Sequence, residues 1–527
     1  MKKFKYTLSF FCALFLMAIS VSGQEIVELK KPLSNKIVIK LMFKNGSITD
    51  PDGKEGLTFL TSNLMTDGGT AELTKSQIDD KIYPMAASYW SLTDKEVSTF
   101  TFEVPKDYLE EFYPILRDLM VSPSFSEEDF NRLKSNQLNY VEQVVRASSD
   151  EEYSKKALED FLFRGTNFQH MKQGTASSVK AITLDDVKAH YNKWFNRHNF
   201  TIGIAGNYSQ DFLNKLKADM NKLSDENPEM IVPGKAEMPD GMRVEIVSKK
   251  NALGSAIFTG FPLEITRAND DFAAMMIANS WMGEHRKSYS RLYQKIRQTR
   301  SMNYGDYTYI EWYEQGGSYQ LPLSGVPRSS NYTSIWIRPV QIAESLQQQY
   351  PELKEIKVGH AHFALRMAIR EMDLLIANGL SQEDFELTKK FLRSYIKLYI
   401  QTPEKELGFL MDSRFYGRQD YIKEIDALLA KVTLDEVNQA IKKYWQTDNM
   451  CVTIITDDSE AKPLAESIRK NLPSPMSYSQ LVKEGLGKEI LQEDDEVAKY
   501  PLNVKEVVII NDADTFSKTD GVVAKNK

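Results

Sequence analysis

Residues Ile115 to Val141 read ILRDLMVSPSFSEEDFNRLKSNQLNYV, and residues Ala368 to Ile396 read AIREMDLLIANGLSQEDFELTKKFLRSYI. Each stretch holds a helix end, a short break, a Ser-x-x-Asp-Phe start and a second helix. Ser126 and Ser381 suit the N-cap, where a side-chain oxygen accepts a free backbone N–H of the first turn. Asp129 and Asp384, at the third helical position, answer in the manner of a capping box.

A second pair of segments follows in the same order. Ile182-Thr-Leu-Asp-Asp-Val187 and Val432-Thr-Leu-Asp-Glu-Val437 each open a helix with apolar residues at i, i+4, i+7 and i+8. These are Val187, Tyr191, Trp194 and Phe195 in the first, and Val437, Ile441, Tyr444 and Trp445 in the second. The helices end near Asn199 and Asn449 and lead into short β-rich runs, Phe200–Ala205 and Met450–Ile455. Ser381 lies 255 residues after Ser126, and Thr433 lies 250 after Thr183, so one unit is written twice. The fold class expected is α+β, with two homologous domains that each mix strands with helix pairs.

Ser224 to Gly241 carries Pro228, Pro233, Gly234, Pro239 and Gly241 amid polar residues, which is linker chemistry. The expected division is residues 24–223, a linker at 224–242, a second domain at 243–473 opening on the strand-like Arg243–Val247, and an extension at 474–527. The extension ends with a further apolar run, Glu506–Ile510.

The 527 residues are too many for one core, and 42% hydrophobic with 26% charged residues is the composition of a globular protein. Lys+Arg 66 against Asp+Glu 73 gives a net charge of −7 with no long basic run, so nucleic-acid binding has no electrostatic support. Lys2, Lys3 and Lys5, the apolar run Tyr6 to Ile19 and the small residues before Gln24 read as a secretory signal peptide over 1–23. That run is shorter than the ~20 residues a bilayer span requires. No other run is long enough, so no membrane span is expected after cleavage. Cys12 falls inside the leader and leaves Cys451 alone, so an exported chain folds without an internal disulfide. A bacterial periplasmic location is the expectation.

Residues from about Ile37 to Gly206 resemble the first domain of the pitrilysin/insulinase family of zinc metallopeptidases. The residues that carry the resemblance are Lys40-Leu-Met-Phe-Lys-Asn-Gly46, Asp50 to Glu55, Gly56-Leu-Thr-Phe-Leu-Thr-Ser-Asn-Leu-Met65, Gly68-Gly-Thr70 and Pro123 to Phe130. The resemblance implies domains built on mainly antiparallel sheets packed with helices, together forming half of a clamshell. In the family, a His-x-x-Glu-His helix holds zinc with its two His, and the Glu activates the water. Here those places fall on Thr58, Thr61 and Ser62, and no His-x-x-Glu-His occurs elsewhere. A third ligand, a Glu further along the chain, falls near Tyr140. Glu142, two residues on, is rotated about 200° around a helix. Neutral hydroxyls are poor zinc ligands and poor bases near neutral pH, so no catalytic zinc is expected in this chain.

Ser290-Arg-Leu-Tyr-Gln-Lys-Ile-Arg-Gln-Thr-Arg-Ser-Met-Asn-Tyr304 resembles a second signature of the same family. There an Arg and a Tyr seven residues later hold the substrate backbone beside the zinc, and the resemblance places them on Arg297 and Tyr304. Absent zinc ligands with a present substrate-orienting pair resemble the non-catalytic subunit of two-chain family members. The resemblance therefore implies a zinc-bearing insulinase-type partner and a peptide or unfolded-protein substrate, with no hydrolysis by this chain alone. The alternative is a peptide-binding or structural homodimer that kept the fold without proteolysis. Of the remaining candidates, His360 and His362 read as surface residues, and Glu284-His285 as a solvated loop. His170, His190 and His198 read as scattered, Gly316-Gly317 as a strand turn, and Tyr304 to Tyr313 as a strand-like stretch explained mostly by core packing.

Overall fold

The computed structural model describes residues 25–314, 316 and 319–517. The leader assigned to 1–23 lies outside them, as does Gly317. Strands β1 (Glu25–Lys30), β2 (Lys36–Phe43), β3 (Ser88–Thr93), β4 (Ser98–Pro105) and β5 (Phe200–Gly206) form one sheet in the order β1-β5-β2-β4-β3. A second sheet contains β6 (Met242–Ser248), β7 (Ser255–Pro262), β8 (Asp306–Tyr309), β9 (Tyr332–Val340), β10 (Met450–Thr456) and β11 (Val504–Asn511). Its order is β11-β6-β10-β7-β9-β8. Leaving β11 aside, the second order repeats the first strand for strand. Both sheets are mixed: β1 with β5, and β6 with β10, run parallel, and every later neighbour is antiparallel. The C-terminal β11 adds a further parallel edge beside β6.

The helix starts behave as local chemistry dictates. Ser126 and Ser381 accept the N–H groups of Asp129 and Asp384, both at 3.1 Å. Each Asp carboxylate takes the Ser hydroxyl rather than the N-cap N–H, so that pair of caps is one-sided. Thr183 and Thr433 form complete capping boxes with Asp186 and Glu436.

β2 is buried on both faces, with Lys40 its one buried charge, and packing explains why. Ile37, Ile39, Leu41 and Phe43 face a core shared with Leu60 and Leu64 of the helix Leu57–Asp67. Val38 and Met42 face Leu407 and Met411 of the helix Pro403–Phe415, which comes from the second half of the chain. That helix sits close because β5 has Gly203 beneath it, where an added Cβ would stand 2.3 Å from Met411 Sδ. The exchange is reciprocal. The helix Asp150–Leu162, from the first half, lays Leu158, Phe161 and Leu162 against Phe258, Trp336 and Cys451 of the second sheet. Its Ser154 hydroxyl reaches the Thr453 carbonyl at 3.1 Å. Each sheet is thus closed by a helix from the other half, and burial of these faces is a main source of cohesion. A buried ionic knot adds to it: Arg328 grips Asp94 with two bonds (2.6 and 2.9 Å) and Glu159 with one (2.7 Å), while Lys95 meets Glu159 at 2.9 Å.

Candidate functional site

The helix Leu57–Asp67 starts at Gly56, whose φ of 95° is left-handed and suits glycine. Gly56 has no side chain to cap the helix, so the cap comes from upstream. The Asp50 carboxylate accepts the N–H groups of Gly56 and Thr58, each at 2.7 Å, and the Thr58 hydroxyl at 2.6 Å. Thr58 Oγ1 also lies 2.9 Å from His190 Nε2 and 3.2 Å from Thr49 Oγ1. A hydroxyl has one proton; with Thr58 donating it to Asp50, His190 must donate through Nε2–H. Burial raises the Asp50 carboxyl to about 7 against the opposing pull of its three hydrogen bonds. Burial likewise lowers His190 to about 3, helped by Lys193, and the ring is neutral.

Thr58, Thr61 and Ser62 are fully buried. Thr61 returns its hydroxyl to the Leu57 carbonyl at 2.8 Å, and Ser62 returns its own to the Thr58 carbonyl at 2.9 Å. These oxygens are occupied within their own helix and its cap. Tyr140 lies in a wide i→i+5 turn over Tyr140–Val144, and Glu142 pairs with Lys180 at 2.6 Å. One imidazole and one triply bonded carboxylate do not make a three-ligand zinc set, so the residues at this place do not fit the metal. Among the described residues no group of three or more His, Cys, Asp or Glu is arranged to hold one.

In the sequence Asp50 reads only as part of a family-like stretch and His190 as one of several scattered histidines; the structure brings both to Thr58. His190 follows Val187 by three residues and precedes Trp194 by four, so it shares the buried face of its helix, and that spacing is the signal that marks it. Other histidines differ from expectation as well. His360 and His362 are buried rather than superficial, because they open the long helix Ala361–Asn378 beneath Gln341 and Ser467. His285 is not in a solvated loop. It stacks on Tyr313 at 4.4 Å, gives Nε2–H to the Tyr319 carbonyl at 3.0 Å, and receives the Tyr309 hydroxyl on Nδ1 at 2.7 Å. Glu284 beside it is buried too. His198 stays near the surface and meets Asp225 at 2.7 Å, and His170 lies 3.8 Å from Glu55.

Arg297 and Tyr304 are brought together. Arg297 lies in the last turn of Tyr293–Gln298, next to buried Ile296, with Leu292 buried at its start. Just beyond, Arg300 is buried against Asp494 at 2.7 Å and Glu493 at 2.8 Å, and Met302 is buried as well. Tyr304 then points outward at 77% exposure. Gly305 follows with φ 143°, where an added Cβ would strike the Tyr307 hydroxyl at 2.2 Å. This glycine lets one tyrosine project while the next packs inward. The Arg297 guanidinium lies 5.7 Å from the Tyr304 ring centroid, a cation–π distance. Among the described residues its side chain has no carboxylate partner, so its N–H groups are available to a ligand.

Two paired halves of this topology, with hydroxyls at the metal positions, define an inactive metallopeptidase fold. The insulinase (peptidase family M16) domain matches residues 26–175, and the peptidase M16 inactive domain matches residues 181–392. The chain belongs to the M16 insulinase family, as an inactive-type peptidase homologue. It is 24% identical over 480 residues to the non-peptidase homolog YmxG of Helicobacter pylori, covering 88% of this chain and 100% of that protein. It is 18% identical over 436 residues to the uncharacterized zinc protease YmxG of Bacillus subtilis, covering 81% and 95%. Among solved structures, a peptidase M16 inactive domain from Pseudomonas fluorescens superposes with a TM-score of 0.70 at 17% identity, covering 83% of this chain and 96% of that one.

Proposed function

We propose that this chain is an exported, non-catalytic M16 subunit that helps enclose a peptide or unfolded protein for a zinc-bearing partner of the same family. Its place would be the bacterial periplasm, and it would carry no zinc itself. The observation that carries the reading is the contrast between two positions. Where the family holds zinc, Thr58 is locked to Asp50 and His190 in a buried knot. Where the family grips substrate, Arg297 and Tyr304 stand together, and among the described residues Arg297 has no carboxylate partner. A guanidinium donates to peptide carbonyls, and a phenol hydrogen-bonds a developing oxyanion, so the pair supplies binding and electrostatic help but no nucleophile. A reaction centre divided between two chains is complete only when the chains close around the substrate and exclude water.

The test is to purify the chain alone and with a family member bearing His-x-x-Glu-His, and to follow a quenched peptide. Alone, the chain is expected to hold substoichiometric zinc and to cleave nothing; together, cleavage is expected to exceed that of the partner alone. Stoichiometric zinc in this chain overturns the reading. A stable homodimer that binds peptide and stimulates no zinc-bearing partner favours a binding protein instead.

A further inference from the structure

The second domain contains an open cleft of about 430 Å³ that the Arg297–Tyr304 reading does not use. Its walls are Trp281, near the end of the helix Asp271–Gly283, Tyr289, and Leu387 and Phe391 of the helix Gln382–Tyr395. Leu387 is 61% exposed and Tyr289 38%, an unusual outlay of apolar surface on one spot. The walls are fixed rather than loose. Tyr289 meets Phe391 edge to face at 5.0 Å, and its hydroxyl lies 3.1 Å from Ser280 Oγ.

Four polar residues complete the lining, Arg291, Gln294, Asp384 and the buried Thr388, and the first three have groups to spare. Arg291 gives Nε–H to Glu371 at 2.5 Å and lies over the Trp281 ring at 5.8 Å. Its two terminal amino groups have no acceptor among the described residues. Gln294 spends its amide N–H on the Tyr289 carbonyl at 3.0 Å, which leaves its own oxygen to accept. Asp384 receives the Ser381 hydroxyl on one carboxylate oxygen at 2.7 Å and keeps the other. Donors and acceptors therefore stand side by side around apolar walls. That arrangement complements a peptide unit, which has one N–H and one C=O. A free carboxylate would face Asp384, and a hydrocarbon would leave the polar groups unused. The volume lies within the ~300–1,000 Å³ of ligand pockets.

We propose that this cleft receives a bulky apolar side chain, aromatic above all, from an extended polypeptide. The proposal rests on the peptide-binding part of the reading above and adds a side-chain preference to it. Gln294 and Arg297 are three residues apart on one helical stretch, at most about 4.5 Å along its axis. The cleft and the Arg297–Tyr304 pair thus draw on one short segment of the chain.

The experiment measures fluorescence anisotropy of two labelled twelve-residue peptides, identical except for Phe or Ala at the centre, with the full exported chain. The Phe peptide is expected to bind about tenfold tighter or more, the usual worth of burying such a ring. Leu387→Glu, at an exposed helix position, is expected to abolish that ratio. Arg297→Ala with Tyr304→Ala is expected to weaken both peptides and keep the ratio. Equal affinity for the two peptides overturns the cleft proposal alone, and so does a ratio that survives Leu387→Glu. Binding of neither peptide overturns the peptide-binding reading and this proposal with it. Self-association of the chain that Leu387→Glu dissolves, with peptide preference untouched, makes a second copy the occupant and also overturns it.

Discussion

Replacing Thr58 by Val keeps the side-chain shape and removes one hydroxyl, and the structure says what that hydroxyl is worth. It donates to Asp50 at 2.6 Å and receives His190 Nε2–H at 2.9 Å, with all three groups buried. The variant leaves one buried carboxylate bond and one buried imidazole N–H unmade. Each such loss costs about 1–3 kcal/mol, so Thr58→Val is expected to destabilise by about 2–6 kcal/mol. Thr61→Val is the matched control. Thr61 is equally buried, but its hydroxyl only doubles a helix carbonyl, Leu57 O, so its loss is expected to cost under about 1 kcal/mol. The assay is guanidinium unfolding followed by tryptophan fluorescence and circular dichroism on both variants and the parent. The pH dependence sharpens the comparison. A hydrogen bond to the charged carboxylate is stronger than one to the neutral acid, so the Thr58→Val deficit is expected to be larger at pH 8.5 than at pH 5.5, on either side of about 7 for Asp50. Equal costs for the two variants, or a deficit that shrinks as pH rises, refute the knot as described.

Asp50 itself gives a signed test. Its carboxyl is raised in the folded state from 3.8 to about 7, so its stability contribution is full below pH 4 and is lost as pH rises through 7. Asp50→Asn is therefore expected to gain on the parent across that window in pH-resolved unfolding curves; a gap constant with pH contradicts the raised value. Arg328→Met leaves Asp94 and Glu159 buried without their shared cation, and is expected to cost about 3–5 kcal/mol in the same assay. Burial alone would raise Glu159, but Arg328 and Lys95 hold it well below the ordinary carboxylate range, so a cost under 1 kcal/mol contradicts that balance.

The repeat was legible because its evidence is local. Caps such as Thr183 and Thr433, and apolar spacings such as Val187 to Trp194, act within one helix and leave their mark in consecutive residues. The runs Phe200–Ala205 and Met450–Ile455 likewise lie within β5 and β10. What stayed hidden depends on distance along the chain. Thr58 and His190 are 132 residues apart, and nothing in either neighbourhood names the other. Amphipathic spacing shows that a helix has a buried face, but not which sheet receives it. The exchange of Asp150–Leu162 and Pro403–Phe415 between the halves was therefore invisible. His360 and His362 misled because a Gly-His-Ala-His start carries no periodicity before the helix that buries them.

The central claim is that this chain lends Arg297 and Tyr304 to chemistry performed elsewhere. The most direct measurement is the peptide-cleavage rate of a reconstituted pair, this chain with a zinc-bearing family member, for the parent and for Arg297→Ala with Tyr304→Ala. The account predicts that the double variant still associates with its partner while cleavage falls at least tenfold, about 1.4 kcal/mol of lost transition-state stabilisation. Full cleavage by the double variant contradicts it.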